Sequence, residues 1–157
     1  AFKKKRLYLP ALCVSAPIDS VDVKNDSLRI PRKVSHVGLS TRSSSLTDTA
    51  GTSLIAGHVK WNTELGVLYN LHKMYPGAPI VTTDVDNKSQ LWRVTALKVY
   101  KKGKLPRNVF NTSGGRRLVI ITCGGRAWNS GVGGFRYEDN VVVVAVPDNG
   151  AIPKPQE

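Results

Sequence analysis

Apolar and β-branched residues in this chain fall in short runs bounded by Gly, Pro, Asn and Asp, and hardly any run shows helical spacing. The expected class is therefore mainly β. Strands are predicted at about residues 7–14, 20–24, 28–31, 53–57, 79–84, 91–100, 118–122 and 140–146. Asp86-Asn87-Lys88 has the composition of a tight turn, so residues 80–85 and 92–99 are expected to pair as a hairpin. Between Trp61 and Tyr75, the positions Leu65, Leu68 and Leu71, with Val67 and Met74, predict one short helix stopped by Pro76-Gly77. Residues 38–49 hold seven Ser or Thr and read as a surface loop with at most one helical turn, and residues 126–137 are also loop-like.

At 157 residues the chain is long enough for one core and too short for two ordinary ones. Residues 1–6 read as a basic N-terminal flank, 7–147 as the folded domain and 148–157 as a C-terminal tail. Hydrophobic residues at 41% and charged residues at 22% argue against wholesale disorder, and no run reaches the length of a membrane-spanning helix. The opening at Ala1 with Lys3-Lys4-Lys5-Arg6 is expected of a chain whose upstream signal or anchor has been removed, and equally of an ordinary trimmed one. The formal charge of +12 favours anionic partners: nucleic acid, phospholipid or a wall polymer. The chain lacks a helix-turn-helix pattern, a Cys-rich finger and clustered aromatic platforms, which argues against a nucleic-acid partner.

Candidate chemistry changes this picture most at Leu118-Val119-Ile120-Ile121-Thr122-Cys123-Gly124-Gly125. A cysteine is usually buried, but one at a strand's last position before two glycines stands at a rim where backbone amides become free. Cys123 is thus a candidate nucleophile. A thiol that attacks a carbonyl needs a base and donors for the oxyanion that forms. His58, after Ser53-Leu54-Ile55-Ala56-Gly57, also ends a strand run and is the candidate base. His36, in a polar connection, and His72, on the predicted helix, take the ordinary reading of satisfied or partly exposed side chains.

Arg136 precedes the last strand run. In so basic a chain a solvated arginine is the ordinary reading, whereas a guanidinium beside an attacked carbonyl would steady its oxyanion. Thr122 would either orient substrate or satisfy the strand end, and the amides of Gly124 and Gly125 would add oxyanion donors. Cys13, in Leu12-Cys13-Val14, reads as core, so a disulfide with Cys123 is not expected. With few histidines and unclustered acids, no metal site is indicated.

Ala56-Gly57-His58, Ile121-Thr122-Cys123 and Arg136 at the opening of the last strand run, in that order, resemble the sortases, the cysteine transpeptidases of Gram-positive surfaces. Gly66-Val67-Leu68-Tyr69-Asn70-Leu71 resembles that family's short helix and Pro76-Gly77 its following turn. The Thr-Cys-Gly-Gly ending and Arg136-Tyr137-Glu138-Asp139-Asn140-Val141 look most like the actinobacterial class E and class F enzymes, class F preferred. Val119 stands where the family often has threonine.

The resemblance implies a single-domain, eight-stranded sortase-type β-barrel with one or two short helices and no cofactor. It implies that Cys123 attacks the Thr-Gly carbonyl of an LPXTG-like sorting signal, that His58 serves as acid and then base, and that Arg136 stabilises the oxyanion. The acceptor implied is an amine such as a peptidoglycan precursor or a pilin lysine. The implied place is the extracytoplasmic face of a Gram-positive membrane, anchored through an upstream N-terminal segment; the +12 charge, not the resemblance, adds anionic lipid or wall polymer as an expected further contact. Two rival readings remain beside it. One is a basic polyanion-binding module without catalysis; the other is a different cysteine acyl transferase of the wall, such as an L,D-transpeptidase, whose Ser-His-Gly-Cys-type segment is missing.

Overall fold

The computed structural model describes residues 3–24, 27, 28, 30, 31, 33–61, 63–101, 111–123 and 139–150. Eight strands close into a barrel in the order β1 (Arg6–Leu9), β2 (Val14–Val21), β5 (Val37–Ser40), β6 (Thr52–His58), β11 (Arg117–Cys123), β12 (Asp139–Asp148), β10 (Ser89–Lys101) and β9 (Pro79–Thr83). Two small ribbons stand apart from it, β3 (Val23–Lys24) with β4 (Ser27–Leu28), and β7 (Lys60–Trp61) with β8 (Glu64–Leu65). The mainly β, eight-stranded barrel expected from the sequence is the observed fold.

Strand β11 is apolar at every position from Leu118 to Ile121 because both of its faces are covered. Leu118 and Ile120 point into the barrel interior with Leu7, Leu9, Ile55, Trp92 and Val143. Val119 and Ile121 point the other way, into a second buried cluster with Leu54 of β6 and Val142 of β12. Removing a side chain such as Ile120 from this two-sided packing would cost about 2–5 kcal/mol. The predicted hairpin is β9–β10, with Thr83 opposite Ser89. Its turn is held by Asp84, whose Oδ1 accepts the N–H groups of Asp86 and Lys88 at 2.9 Å each, while Asn87 adopts φ 61°.

Several predicted elements are corrected. The run 7–14 is two strands, because Pro10 opens a 3₁₀ turn, Pro10–Leu12, and Cys13 closes it in the left-handed region at φ 55°, its N–H donating to Pro10 O at 3.1 Å. Cys13 therefore faces solvent as a free thiol instead of joining the core. The run 20–24 divides between β2 and β3, and 28–31 contributes only Leu28 to β4.

The 38–49 loop contains most of β5 and three buried serines, Ser40, Ser43 and Ser44. Ser43 Oγ donates to Ser40 O at 2.9 Å and accepts the Leu54 N–H at 3.0 Å, and Ser53 Oγ donates to Ser44 O at 2.7 Å. Hydroxyls thus stand in for strand partners at the barrel end where β6 and β11 begin. Trp92 and Arg116 close that same end. Trp92 Nε1 donates to Thr82 Oγ1 at 2.9 Å, and the Arg116 guanidinium lies 5.1 Å from the Trp92 ring centre. Burial lowers the Arg116 pKa, against the opposing pull of Asp48.

The predicted helix is replaced by β7, β8, a turn and a single 3₁₀ turn, Leu71–Lys73. Leu65, Leu68, Leu71 and Met74 recur every three residues, which suits three residues per turn better than 3.6. Leu68, Leu71 and Met74 are buried in the main core.

The end of β12 is tied to β10 by Asp148, whose Oδ2 accepts from Arg93 Nε at 2.6 Å and whose Oδ1 accepts the Gly150 N–H at 2.8 Å. The Arg93 hydrogen bond, and after it the Gly150 amide, hold this carboxyl below the usual carboxylate range. A folded-state pKa below the unfolded one stabilises the fold above the unfolded value, and that contribution fades as pH falls through the folded value. Asp148→Asn should melt earlier than the parent at neutral pH, with the gap closing below about pH 4. Thermal melts at stepped pH read this directly, and a gap that widens in acid would contradict it.

Candidate active site

Strands β6 and β11 are parallel neighbours, so their C-terminal ends emerge at the same end of the barrel. Their register pairs Thr122 with Gly57 and Cys123 with His58. Adjacent strands run about 4.8 Å apart, so pairing alone sets two positions far apart in the sequence side by side.

Alternation decides the face. A Cβ on Gly57 would meet Leu68 and Val37 inside the barrel, which assigns His58 to the outer face with Leu54. The Cys123 position has the parity of Val119 and Ile121, on that same outer face. Leu54, Val119, Ile121 and Val142, with Tyr100 and Val144 packed on them, therefore form an apolar floor leading up to the His58 and Cys123 positions.

His58 is half-buried, and its Nε2 lies 2.9 Å from the carbonyl oxygen of Pro31. Its backbone is wrapped by the turn after β8: the Leu68 N–H donates to His58 O at 3.3 Å and the Gly66 N–H to Val59 O at 2.8 Å. Gly66 is required there, since a Cβ would stand 1.9 Å from His58 O and 2.9 Å from His58 Cβ. Thr122 is buried, and its Oγ1 accepts the Val141 N–H at 2.9 Å, joining β11 to β12 one residue before Cys123.

Arg136, Gly124 and Gly125, together with the loop 126–137, lie outside the described residues. His36 donates from Nδ1 to Asp19 Oδ2 at 2.9 Å, and His72 is exposed on the 3₁₀ turn. Among the described residues no group of three His, Cys, Asp or Glu is placed to hold a metal ion, and no helix is long and apolar enough to cross a membrane. Sequence reasoning missed Pro31, whose contribution is a backbone carbonyl that no side-chain motif reports. It read Gly66 only as part of a helix.

The Sortase domain model matches residues 7–148 of the chain. The protein belongs to the sortase family. Sortases are cysteine transpeptidases associated with the walls of Gram-positive bacteria, acting on sorting-signal substrates and amine acceptors. Among solved structures, sortase C-1 of Actinomyces oris is 20% identical over 92% of this chain and 73% of its own, with a TM-score of 0.67. A lid mutant of sortase A of Corynebacterium diphtheriae is 17% identical over 93% and 70%, TM-score 0.69. Sortase C1 of Streptococcus agalactiae is 16% identical over 94% and 68%, TM-score 0.69. At these identities the likeness is one of fold. No curated protein matches the sequence significantly.

Proposed function

We propose that this sortase cleaves the Thr-Gly bond of an LPXTG-like sorting signal through a thioacyl intermediate on Cys123. The observation that carries the reading is the parallel register that sets Cys123 opposite His58 at the end of the barrel's apolar outer face. The Cys123 thiolate attacks the threonine carbonyl carbon, forming a C–S bond, and the C–N bond to glycine breaks. His58 gives its proton to the departing amine. An incoming amine, from a peptidoglycan precursor or a pilin lysine, then loses a proton to His58, forms the new amide and expels the thiolate. Water in place of the amine gives slow hydrolysis, the endopeptidase side of the same chemistry.

Arg136 and the amides of Gly124 and Gly125 are assigned to the oxyanion. The support for Arg136 is its place shortly before β12, which opens at the end of the barrel where β11 closes. Thr122 serves the site by fixing the β11–β12 junction beside the nucleophile. The Thr-Cys-Gly-Gly segment favours class F, with class E next, and the +12 charge favours contact with anionic lipid or wall polymer at an extracytoplasmic membrane face reached through an upstream anchor.

Mass spectrometry of the protein incubated with an LPXTG peptide tests the reaction. The expected product is the protein plus the acyl portion of the peptide, mapped to Cys123 and released by added hydroxylamine or amine. An unmodified Cys123, or an adduct on Cys13, would overturn the proposal.

A further inference from the structure

One group at the site has no part in the bond exchange and yet contacts its base: the carbonyl of Pro31. A carbonyl oxygen only accepts, so the imidazole nitrogen 2.9 Å away from it must carry the proton. In the neutral ring this leaves Nδ1 as the basic nitrogen. We infer that the Pro31 carbonyl is the positioning partner of His58, fixing its ring as the Nε2–H tautomer, and that Asp19 holds this carbonyl in place through His36. The inference rests on the reading of His58 as acid and base, for which a fixed tautomer supplies one defined proton-transfer atom.

The residue that carries this carbonyl packs on the barrel: the Pro31 ring lies over β5, where a Cβ on Gly38 would meet Pro31 Cδ at 3.1 Å. Further along the same segment Val34 O accepts the Val67 N–H at 2.8 Å, which joins it to the turn that wraps the His58 backbone. At the entry to β5, His36 donates to Asp19 Oδ2 at 2.9 Å. Asp19 lies on β2, opposite Gly38 of β5, so this contact ties the segment to a strand that does not pair with β6. The backbone of His58 and the Nε2 of its ring are thus held from two directions, by the 66–68 turn and by the segment carrying Pro31. Orienting a general base through its second nitrogen is the usual way to set which atom takes the proton, and loss of such a partner commonly weakens activity 10–100-fold.

The test uses the full chain labelled with ¹⁵N-histidine, at a pH above about 8 where ordinary imidazoles are neutral, with His58 assigned by its absence in His58→Gln. The expected spectrum shows His58 as the Nε2–H tautomer with an exchange-protected Nε2 proton. Asp19→Ala should lose that protection and lower kcat about tenfold with KM unchanged. Asp19→Asn, which can still accept from His36, should restore both. An Nδ1–H tautomer, or an Nε2 proton indifferent to Asp19→Ala, would overturn the inference. These spectra are read without substrate, so failure of the transpeptidase reading shows separately, as absence of the Cys123 adduct.

Discussion

Gly66→Ala should cut kcat/KM for an LPXTG peptide by about 10²-fold or more while the barrel still melts cooperatively. A methyl group at this position would stand 1.9 Å from the His58 carbonyl oxygen and 2.4 Å from its carbonyl carbon, well inside any tolerated contact, and those are backbone atoms with no rotamer to yield. Either the wrapping turn or the end of β6 must move by more than 1 Å. A displacement of that size in a reacting group costs about 10²-fold in rate, while overpacking costs about 1–3 kcal/mol of stability.

Gly77→Ala is the matched control. Gly77 has φ 91° and open space around its Cβ position, so that substitution strains the backbone without touching His58. It should lower the melting temperature and leave kcat/KM near the parent value. Equal activity losses in the two variants would show that Gly66 matters only through stability.

The contrast also shows what the sequence discloses and what it does not. β11 is readable because both its faces are apolar, so Leu118 to Ile121 form an unbroken run, and the glycines after Cys123 mark its end. His58 is readable for a similar reason, at the end of β6, a strand buried along its length up to Gly57. β5 is not: Val37-Gly38-Leu39-Ser40 is short and half small or polar, and its strand character comes from pairing with β2 on one side and β6 on the other. Gly38 looks like a loop residue in one dimension, but in the barrel it admits the Val21 side chain and the Pro31 ring.

Cys13 misleads in the opposite direction. Its apolar neighbours suggest a strand interior, and only the turn begun by Pro10 forces it into a left-handed conformation that non-glycine residues seldom adopt. The spacing of Leu65, Leu68, Leu71 and Met74 signals correctly that these residues share a face, but three-residue recurrence fits a turn-and-3₁₀ path as well as a helix. That path matters at the site, because an uninterrupted α-helix would not fold back over His58 as the turn after β8 does.

Cys123→Ala should abolish the thioacyl adduct and lower peptide transfer by at least about 10³-fold, and His58→Ala by about 10²–10⁴-fold, the range of a lost acid–base group. If the two residues act as one unit, the double variant should be scarcely slower than the worse single one, because removing either already disables the shared step. Multiplicative losses would point instead to two independent contributions, and would contradict the pairing read from the β6–β11 register. The same variants decide against a purely polyanion-binding domain. Binding through the +12 charge would weaken steeply with salt and be indifferent to a neutral change at Cys123. An unchanged elution of Cys123→Ala from an anionic column, beside a complete loss of transfer, would place the anion contact and the bond exchange on separate parts of the molecule. The outer face ending at His58 and Cys123 would then be left with the chemistry alone.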